Sequence, residues 1–175
     1  FLNDYIEKIS QSGGFLGISF IITAVLLYFS QKAGKRVKTI ESMSYVDAAV
    51  IGVTQGIAVM PGISRSGSTT SAGLFMGLQK EDSMRFAFLM SIPVILGSAV
   101  LGVKDVVSEP AAVEWGPVIV GMLAAGISGY VAIRFMLNFF KKRSLNIFAV
   151  YTAVLGILIV ADQLFFKKFF TVFLG

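Results

Sequence analysis

Four long stretches without a charged residue limit the folds open to this chain more than any other feature. They cover residues 9–31, 86–103, 115–133 and 144–161. A transmembrane helix needs roughly 20 predominantly apolar residues to cross a ~30 Å hydrocarbon core. Charged residues make up only 14% of the chain and mean hydropathy is +0.80, whereas about 25% charge is usual in a soluble domain. The sequence therefore predicts an all-α integral membrane protein, with four transmembrane helices in one domain of residues 1–175.

A polar segment, residues 61–71, interrupts the apolar sequence after the first of these stretches. It contains six hydroxyl side chains, two glycines, one proline and one arginine. Arg65 is the only charged residue between Asp47 and Lys80. A polar loop persists at membrane depth only where protein or a water-filled cavity surrounds it. An arginine at that depth costs roughly 2.5–3.5 kcal/mol on insertion scales, so it marks a ligand site or a pathway.

The apolar sequences on either side of the polar segment are too short to cross a bilayer. They cover residues 47–60 and 70–78. Two short segments around a loop rich in glycine and proline are typical of discontinuous membrane helices, so we predict a re-entrant helix–loop–helix over about 47–78. A single kinked helix over 46–78 is the alternative, and at about 1.5 Å per residue it would be far longer than the bilayer is thick.

The charged residues predict an orientation in the membrane. Lysine and arginine concentrate in residues 32–38 and 134–143, whereas residues 104–115 are acidic. Basic loops favour the cytoplasmic side, and this places the re-entrant pair with both ends inside and its loop reaching water from outside. The net charge of +5 is thus explained by orientation, and we expect no nucleic-acid partner.

The residue types of the polar segment suit an anionic ligand. Pro61 disfavours helix at the residue before it, so the preceding helix stops there, and the next helix, predicted over about 70–78, presents free N–H groups at its N-terminus. Arg65 adds a planar fork of donors that matches phosphate oxygens. Gly62 and Gly67 allow the backbone to approach a ligand closely. For residues 68–71, plain helix capping is an equal alternative.

Two sequence patterns resemble a known family. Gly-Val-Thr-Gln-Gly at 52–56 is followed by Pro-Gly-Ile-Ser-Arg-Ser-Gly-Ser-Thr at 61–69, which resembles the second signature of the undecaprenyl-pyrophosphate phosphatases, the bacitracin-resistance membrane phosphatases of bacteria. That family has two inverted repeats, and its first repeat carries a Glu-rich signature followed by Ser-Ser-Thr-Gly-His. Neither that Glu-rich signature nor any histidine occurs here. The chain therefore resembles the C-terminal two-thirds of such a protein.

The resemblance implies a function and a set of site residues. The reaction is hydrolysis of undecaprenyl diphosphate to undecaprenyl phosphate and phosphate, which recycles the lipid carrier of cell-wall synthesis at an outward-facing site in the bacterial plasma membrane. We expect Arg65 and Ser64 to be catalytic. The expected substrate-binding residues are Gln55, Gly62, Ser66, Gly67, Ser68 and Thr69. Gln55 stands roughly where the first repeat carries an acid, and a hydrogen-bonding role between helices is an equal alternative for it.

The sequence supplies no base close to Arg65. A hydroxyl nucleophile needs a nearby base, but Asp47 lies far back along its segment and histidine is absent. The resemblance implies that the acid and base carboxylates, and the ligands of any divalent cation, come largely from the first repeat. We assign no metal site to this chain, and we expect residues 1–175 alone to bind the lipid diphosphate without hydrolysing it.

Two other functions and the oligomeric state stay open. A polyprenyl-phosphate transporter or flippase also uses a broken helix whose N-terminus points at an anionic group. An anion channel with Arg65 as its selectivity charge is a weaker candidate. A homo-oligomer is compatible with the sequence.

Overall fold

The computed structural model describes residues 13–33, 35–108 and 114–166. Residues 1–12 and 167–175 of the predicted domain lie outside this description. The described residues form no β-strand, and the predicted all-α class is confirmed. They form six α-helices: α1 (Gly13–Lys32), α2 (Tyr45–Ile57), α3 (Arg65–Phe75), α4 (Lys80–Ser108), α5 (Trp115–Lys142) and α6 (Asn146–Ala161), which a π-helical turn (Asp162–Phe166) extends.

Four of the helices have the length and composition of transmembrane helices. They are α1, α4, α5 and α6 together with its π-helical turn. Each coincides with one of the four uncharged stretches, and this confirms the prediction of a multi-pass membrane protein. Residues 9–12 of the first predicted span lie outside the described residues.

Helices α2 and α3, with the loop 58–64 between them, form a hairpin whose two outer ends meet at Lys38. The Lys38 N–H donates to the Gly77 carbonyl at 3.0 Å, and the Gln79 N–H donates to the Lys38 carbonyl at 2.8 Å. The Lys38 side chain also pairs with Asp47 in the first turn of α2. A hairpin that starts and ends at one level is the shape a re-entrant pair requires; its placement in the bilayer stays a prediction.

The helix ends near Lys38 make up the basic end of the bundle. Lys80 Nζ donates to the Arg143 carbonyl at 2.8 Å, and Lys141 pairs with Glu81 at 3.0 Å. The N–H of Leu145 donates to the Gln31 side chain at 3.3 Å. The two basic regions of the sequence therefore lie at the same end of the bundle, as the orientation prediction requires.

Helix α1 packs most extensively against α6, through two glycines. A Cβ atom added to Gly156 would lie 2.8 Å from the Gly17 carbonyl oxygen, and one added to Gly17 would lie 3.0 Å from the Gly156 carbonyl oxygen. Small residues at such crossings let helix backbones approach closely in lipid. The short helix α3 lies against α1, α2 and α4, and its residues 68–74 are all buried.

Candidate anion-binding site

Helix α3 begins close to the middle of α1. The backbone N–H of Ser64, the residue before α3, donates to the Thr23 hydroxyl oxygen at 3.2 Å. Thr23 stands nine residues before Lys32 in the 20-residue helix α1, which is about 14 Å at a rise of ~1.5 Å per residue. The polar segment thus reaches roughly half-way along a helix of transmembrane length.

Ser64 starts α3 as its N-cap. Its backbone is extended (φ −68°, ψ 111°), and its hydroxyl accepts from the Gly67 N–H at 3.1 Å. Serine is a favoured N-cap because its side chain satisfies one of the free N–H groups of the first turn. The N–H groups of Arg65 and Ser66 have no partner among the described residues. Two donors are therefore free at the helix start.

Gly62 makes the tight turn that leads into α3. Its φ of +82° lies in the left-handed region, where a side chain is strained. A Cβ atom there would also lie 2.8 Å from the Cβ of Ser19 and 2.9 Å from a methyl group of Leu16. The turn is therefore seated directly on α1, and only glycine fits both its conformation and its space.

Arg65 lines a cavity of about 340 Å³ between α2, α3, α4 and α5, which we call the Arg65 cavity. The arginine is exposed, and it forms no ion pair with any carboxylate of the described residues. None of the described acidic side chains lines the cavity. Its lining residues are Gln55, Arg65, Ser66, Ala87, Phe88, Ser91, Val94, Ile95 and Ile133. A cation and three neutral polar side chains in an otherwise apolar cavity favour an anion.

Gln55 makes the hydrogen bond between helices that was its alternative role, whereas its substrate-binding role stays a prediction. It lines the Arg65 cavity, and its Nε2 donates to the Met90 carbonyl of α4 at 2.9 Å. Pro93 has no N–H, so the usual helical donor to the Leu89 carbonyl is missing. The amide of Gln55 thus joins α2 to α4 one residue from this break in the helical hydrogen bonding.

Ser64, Ser66 and Gly67 line a second, smaller space of about 30 Å³. Ser66 and Phe88 border both this space and the Arg65 cavity. Its other walls include Phe140 of α5. The space is large enough for a water molecule, and it has hydroxyl groups to bind one.

Two of the predicted substrate-binding side chains point elsewhere. Ser68 is buried and lines a separate cavity of about 160 Å³, together with Ser71. The hydroxyl oxygens of both have no hydrogen-bond partner among the described residues. The hydroxyl of Thr69 donates to the Arg65 carbonyl at 2.7 Å, so it stabilises the first turn of α3. The substrate-binding roles of Ser68 and Thr69 stay predictions. The positions of their side chains do not support these roles.

Asp47 lies at the other end of α2, bound to Lys38 and Ser44. The ammonium group of Lys38 and the hydrogen bonds from Ser44 lower the Asp47 pKa from 3.8 to about 2. It is therefore a poor general base. Among the described residues, no three Asp, Glu, His or Cys side chains come together. The lining of the Arg65 cavity does not by itself fit a divalent cation, and we derive no step through one.

Sequence reasoning missed the contribution of α1 to the site. Ser19 lies against the turn at Gly62, and Thr23 binds the backbone at the start of α3. Both residues lie about 40 residues earlier in the chain. Hydroxyl side chains four residues apart in a transmembrane helix commonly contact another helix, and this signal was present. Ser91 of the cavity gave no signal beyond being polar within an apolar stretch.

A family model described as Bacitracin resistance protein BacA matches residues 1–158. The chain belongs to this family. The match includes the hairpin, the Arg65 cavity and most of α6. The predicted resemblance is therefore confirmed.

Three similar curated proteins share one name. This chain is 42% identical over 163 residues to an undecaprenyl-diphosphatase of Carboxydothermus hydrogenoformans, and the match covers 91% of this chain and 62% of the relative. It is 40% identical over 164 residues to one of Methanothermobacter thermautotrophicus, covering 92% and 90%. It is 38% identical over 157 residues to one of Methanosphaera stadtmanae, covering 90% and 56%. The chain thus spans less than two thirds of the first and third relatives and nearly all of the second.

Proposed function

We propose that this chain takes part in the hydrolysis of undecaprenyl diphosphate to undecaprenyl phosphate and phosphate, as the half-site that binds the diphosphate. The observation that carries the proposal is Arg65, a cation without a described counter-charge in a cavity at the start of a helix. The relatives' name, undecaprenyl-diphosphatase, agrees with such a ligand.

In this proposal the diphosphate binds between Arg65 and the first turn of α3. The guanidinium fork takes two phosphate oxygens, and the free N–H groups of Arg65 and Ser66 take others at the positive end of the helix dipole. Ser66 adds a hydroxyl donor from the wall of the same cavity. Ser64 acts through its cap, which orients the turn.

Hydrolysis forms a bond from a water oxygen to the terminal phosphorus and breaks the bond from that phosphorus to the bridging oxygen. Negative charge spreads over the transferring phosphoryl group in the transition state, and preorganised cations and donors stabilise it. Arg65 supplies that stabilisation here. We propose that the group that takes the water's proton lies outside the described residues, in sequence that the longer relatives have beyond their match to this chain.

We further propose that the protein lies in the bacterial plasma membrane with the Arg65 cavity open to the outside. The support is the gathering of lysine and arginine at the basic end of the bundle, which favours the cytoplasmic side. The start of α3 then lies within the membrane, and water reaches it from the opposite side.

The test uses the purified chain with farnesyl diphosphate and undecaprenyl diphosphate, and it measures both binding and phosphate release. We expect saturable binding that Arg65→Ala weakens, with phosphate release far below that of the Carboxydothermus relative under the same conditions. Binding that is insensitive to Arg65→Ala would contradict the half-site. Rapid release that depends on Arg65 would show instead that the catalytic groups are complete in this chain.

A polyprenyl-phosphate transporter or flippase is the second candidate. The observation that favours it is the lack of any carboxylate in the described lining of the Arg65 cavity. A hairpin whose second helix begins near the middle of a transmembrane helix also suits alternating access. Reconstitution in vesicles separates the two functions, since a transporter moves the lipid phosphate across the bilayer without releasing phosphate.

A further inference from the structure

Thr23 lies on α1, outside the polar segment, and both hydrogen-bonding functions of its hydroxyl are used. Its oxygen accepts from the Ser64 N–H at 3.2 Å, and its own proton goes to the Ser19 carbonyl at 3.0 Å. The residue is only 1% exposed. We propose that Thr23 is a positioning residue for the anion site, one that fixes the backbone directly before Arg65.

The hydrogen bond from Ser64 to Thr23 joins elements that are far apart in sequence. Ser64 has extended backbone, so its N–H lies outside the helical hydrogen bonding of α3. Thr23 is the only acceptor for that N–H among the described residues. A backbone N–H left unpaired and away from water is costly, so the bond holds the loop at one height on α1.

The Thr23 methyl group also lies near Gly67 in the first turn of α3. A Cβ atom added to Gly67 would lie 3.5 Å from the Thr23 methyl carbon, an ordinary van der Waals distance. Gly62 rests on Ser19, one helical turn earlier on the same face of α1. The loop is thus seated on α1 both before and after Arg65.

The position of the backbone at Ser64 matters because no described carboxylate holds the Arg65 guanidinium in place. The guanidinium has no carboxylate partner in the described residues, and the free N–H groups of Arg65 and Ser66 belong to the same stretch of backbone. A shift at Ser64 therefore moves all of these donors together. Displacements of about 1 Å at a binding constellation are enough to impair it strongly.

The proposal rests on the proposed diphosphate site, so the test pairs a ligand readout with one that needs no ligand. Thr23→Val removes the hydroxyl and keeps the shape, and Thr23→Ser keeps the hydroxyl. Thr152→Val is the matched control, because Thr152 is also buried and its hydroxyl, among the described residues, bonds only to carbonyls of its own helix, α6. Hydrogen exchange over residues 61–67 and affinity for farnesyl diphosphate are measured for each.

We expect Thr23→Val to speed exchange of the Ser64 amide about tenfold, as the loss of one hydrogen bond predicts, and to weaken farnesyl diphosphate binding roughly five- to tenfold. Thr23→Ser should restore both, and Thr152→Val should change neither. Unchanged exchange or unchanged affinity in Thr23→Val overturns the proposal. If Thr23→Val does not fold, Thr23→Ser carries the test, and weak binding by it overturns the proposal.

Failure of the proposed function would look different. Wild-type chain that binds no farnesyl diphosphate refutes the diphosphate site itself. The exchange comparison between Thr23→Val and Thr152→Val then still decides whether Thr23 fixes the backbone before Arg65.

Discussion

Lys38 donates from its ammonium group to both carboxylate oxygens of Asp47, at 2.9 and 2.8 Å. The same lysine bonds through its backbone to Gly77 and Gln79. One residue therefore holds the beginning of α2 and the end of α3 together, and the hairpin is closed at its base.

This ion pair gives the hairpin a defined dependence on pH. Since the Asp47 pKa is lowered to about 2 from 3.8, the stability it contributes is fully present above pH 3.8 and is lost as the pH falls through about 2. Thermal unfolding in micelles should show wild type losing more stability than Lys38→Met between pH 4 and pH 2. Equal losses in the two proteins would mean that the pair does not stabilise the fold.

Replacing Arg65 should affect binding more than stability. Arg65→Ala should weaken farnesyl diphosphate binding by about tenfold or more, since hydrogen bonds to charged groups are worth ~1.5–3 kcal/mol. Arg65→Lys keeps the charge but loses the two-point fork, so an intermediate affinity is expected. Arg134→Ala is the control, because Arg134 bonds to Tyr130 on the exposed side of α5. A control that weakens binding as much as Arg65→Ala would indicate a general effect of charge.

Two glycines of the hairpin should respond in opposite ways to alanine. Gly62→Ala puts a methyl group into the left-handed region and against Ser19, so unfolding should become easier by about 1–3 kcal/mol. Gly56→Ala adds a methyl group where no described atom lies within 4 Å, and alanine favours helix over glycine by ~1 kcal/mol. Unfolding in micelles measures both, and a harmless Gly62→Ala would contradict the tight seating of the turn on α1.

Gln55 should contribute to stability and to binding in separable amounts. Gln55→Leu removes a second donor to the Met90 carbonyl, and the net loss of one such hydrogen bond costs about 0.5–1.5 kcal/mol. Its affinity for farnesyl diphosphate should fall less than that of Arg65→Ala. Gln55→Glu should weaken binding further, because it places a carboxylate in the wall of an anion site. The neighbouring Thr54→Val is the control, since the Thr54 hydroxyl bonds only within α2. Stronger binding by Gln55→Glu would argue against an anionic ligand.

The Arg65 cavity should be reachable from outside the cell. The chain has no cysteine, so single cysteines can be labelled without background. Ser66→Cys, at an exposed position in the cavity wall, should react with a membrane-impermeant thiol reagent applied from outside. Ser71→Cys, in the same helix but 1% exposed, should react much more slowly. Labelling of Ser66→Cys only from the cytoplasmic side would refute the outward orientation.

The sequence was sufficient to predict the transmembrane helices, because charge-free stretches of that length have few other structures open to them. It also predicted Arg65 as the cation of the site, since a lone cation is a local signal. The predicted helix start near residue 70 was wrong, because the Ser64 cap begins α3 at Arg65. The sequence could not predict which hydroxyl side chain of the polar segment lines which cavity. Helix α3 is buried on several sides, so Ser66 faces one cavity and Ser68 another, according to how α3 is rotated between its neighbours.

Thr23 shows the other limit of sequence reasoning. Its role depends on a contact with Ser64 that spans 41 residues of sequence, and no local pattern reports which helix lies beside the loop. The hydroxyl on α1 indicated some interhelical contact, but only the packed structure identifies its partner.

The close crossing of α1 and α6 at Gly17 and Gly156 bears on the order of assembly in the membrane. Helix α1 meets α6 at this crossing, receives the loop at Ser19 and Thr23, and reaches the turn before α6 through Gln31. The hairpin has no helix of transmembrane length, so it cannot insert by itself. The loop can pack on α1 only after α1 is in the bilayer, whereas α1 gains its main packing surface only after α6 has been synthesised. Stable seating of the loop on α1 therefore depends on α6, which lies far later in the sequence.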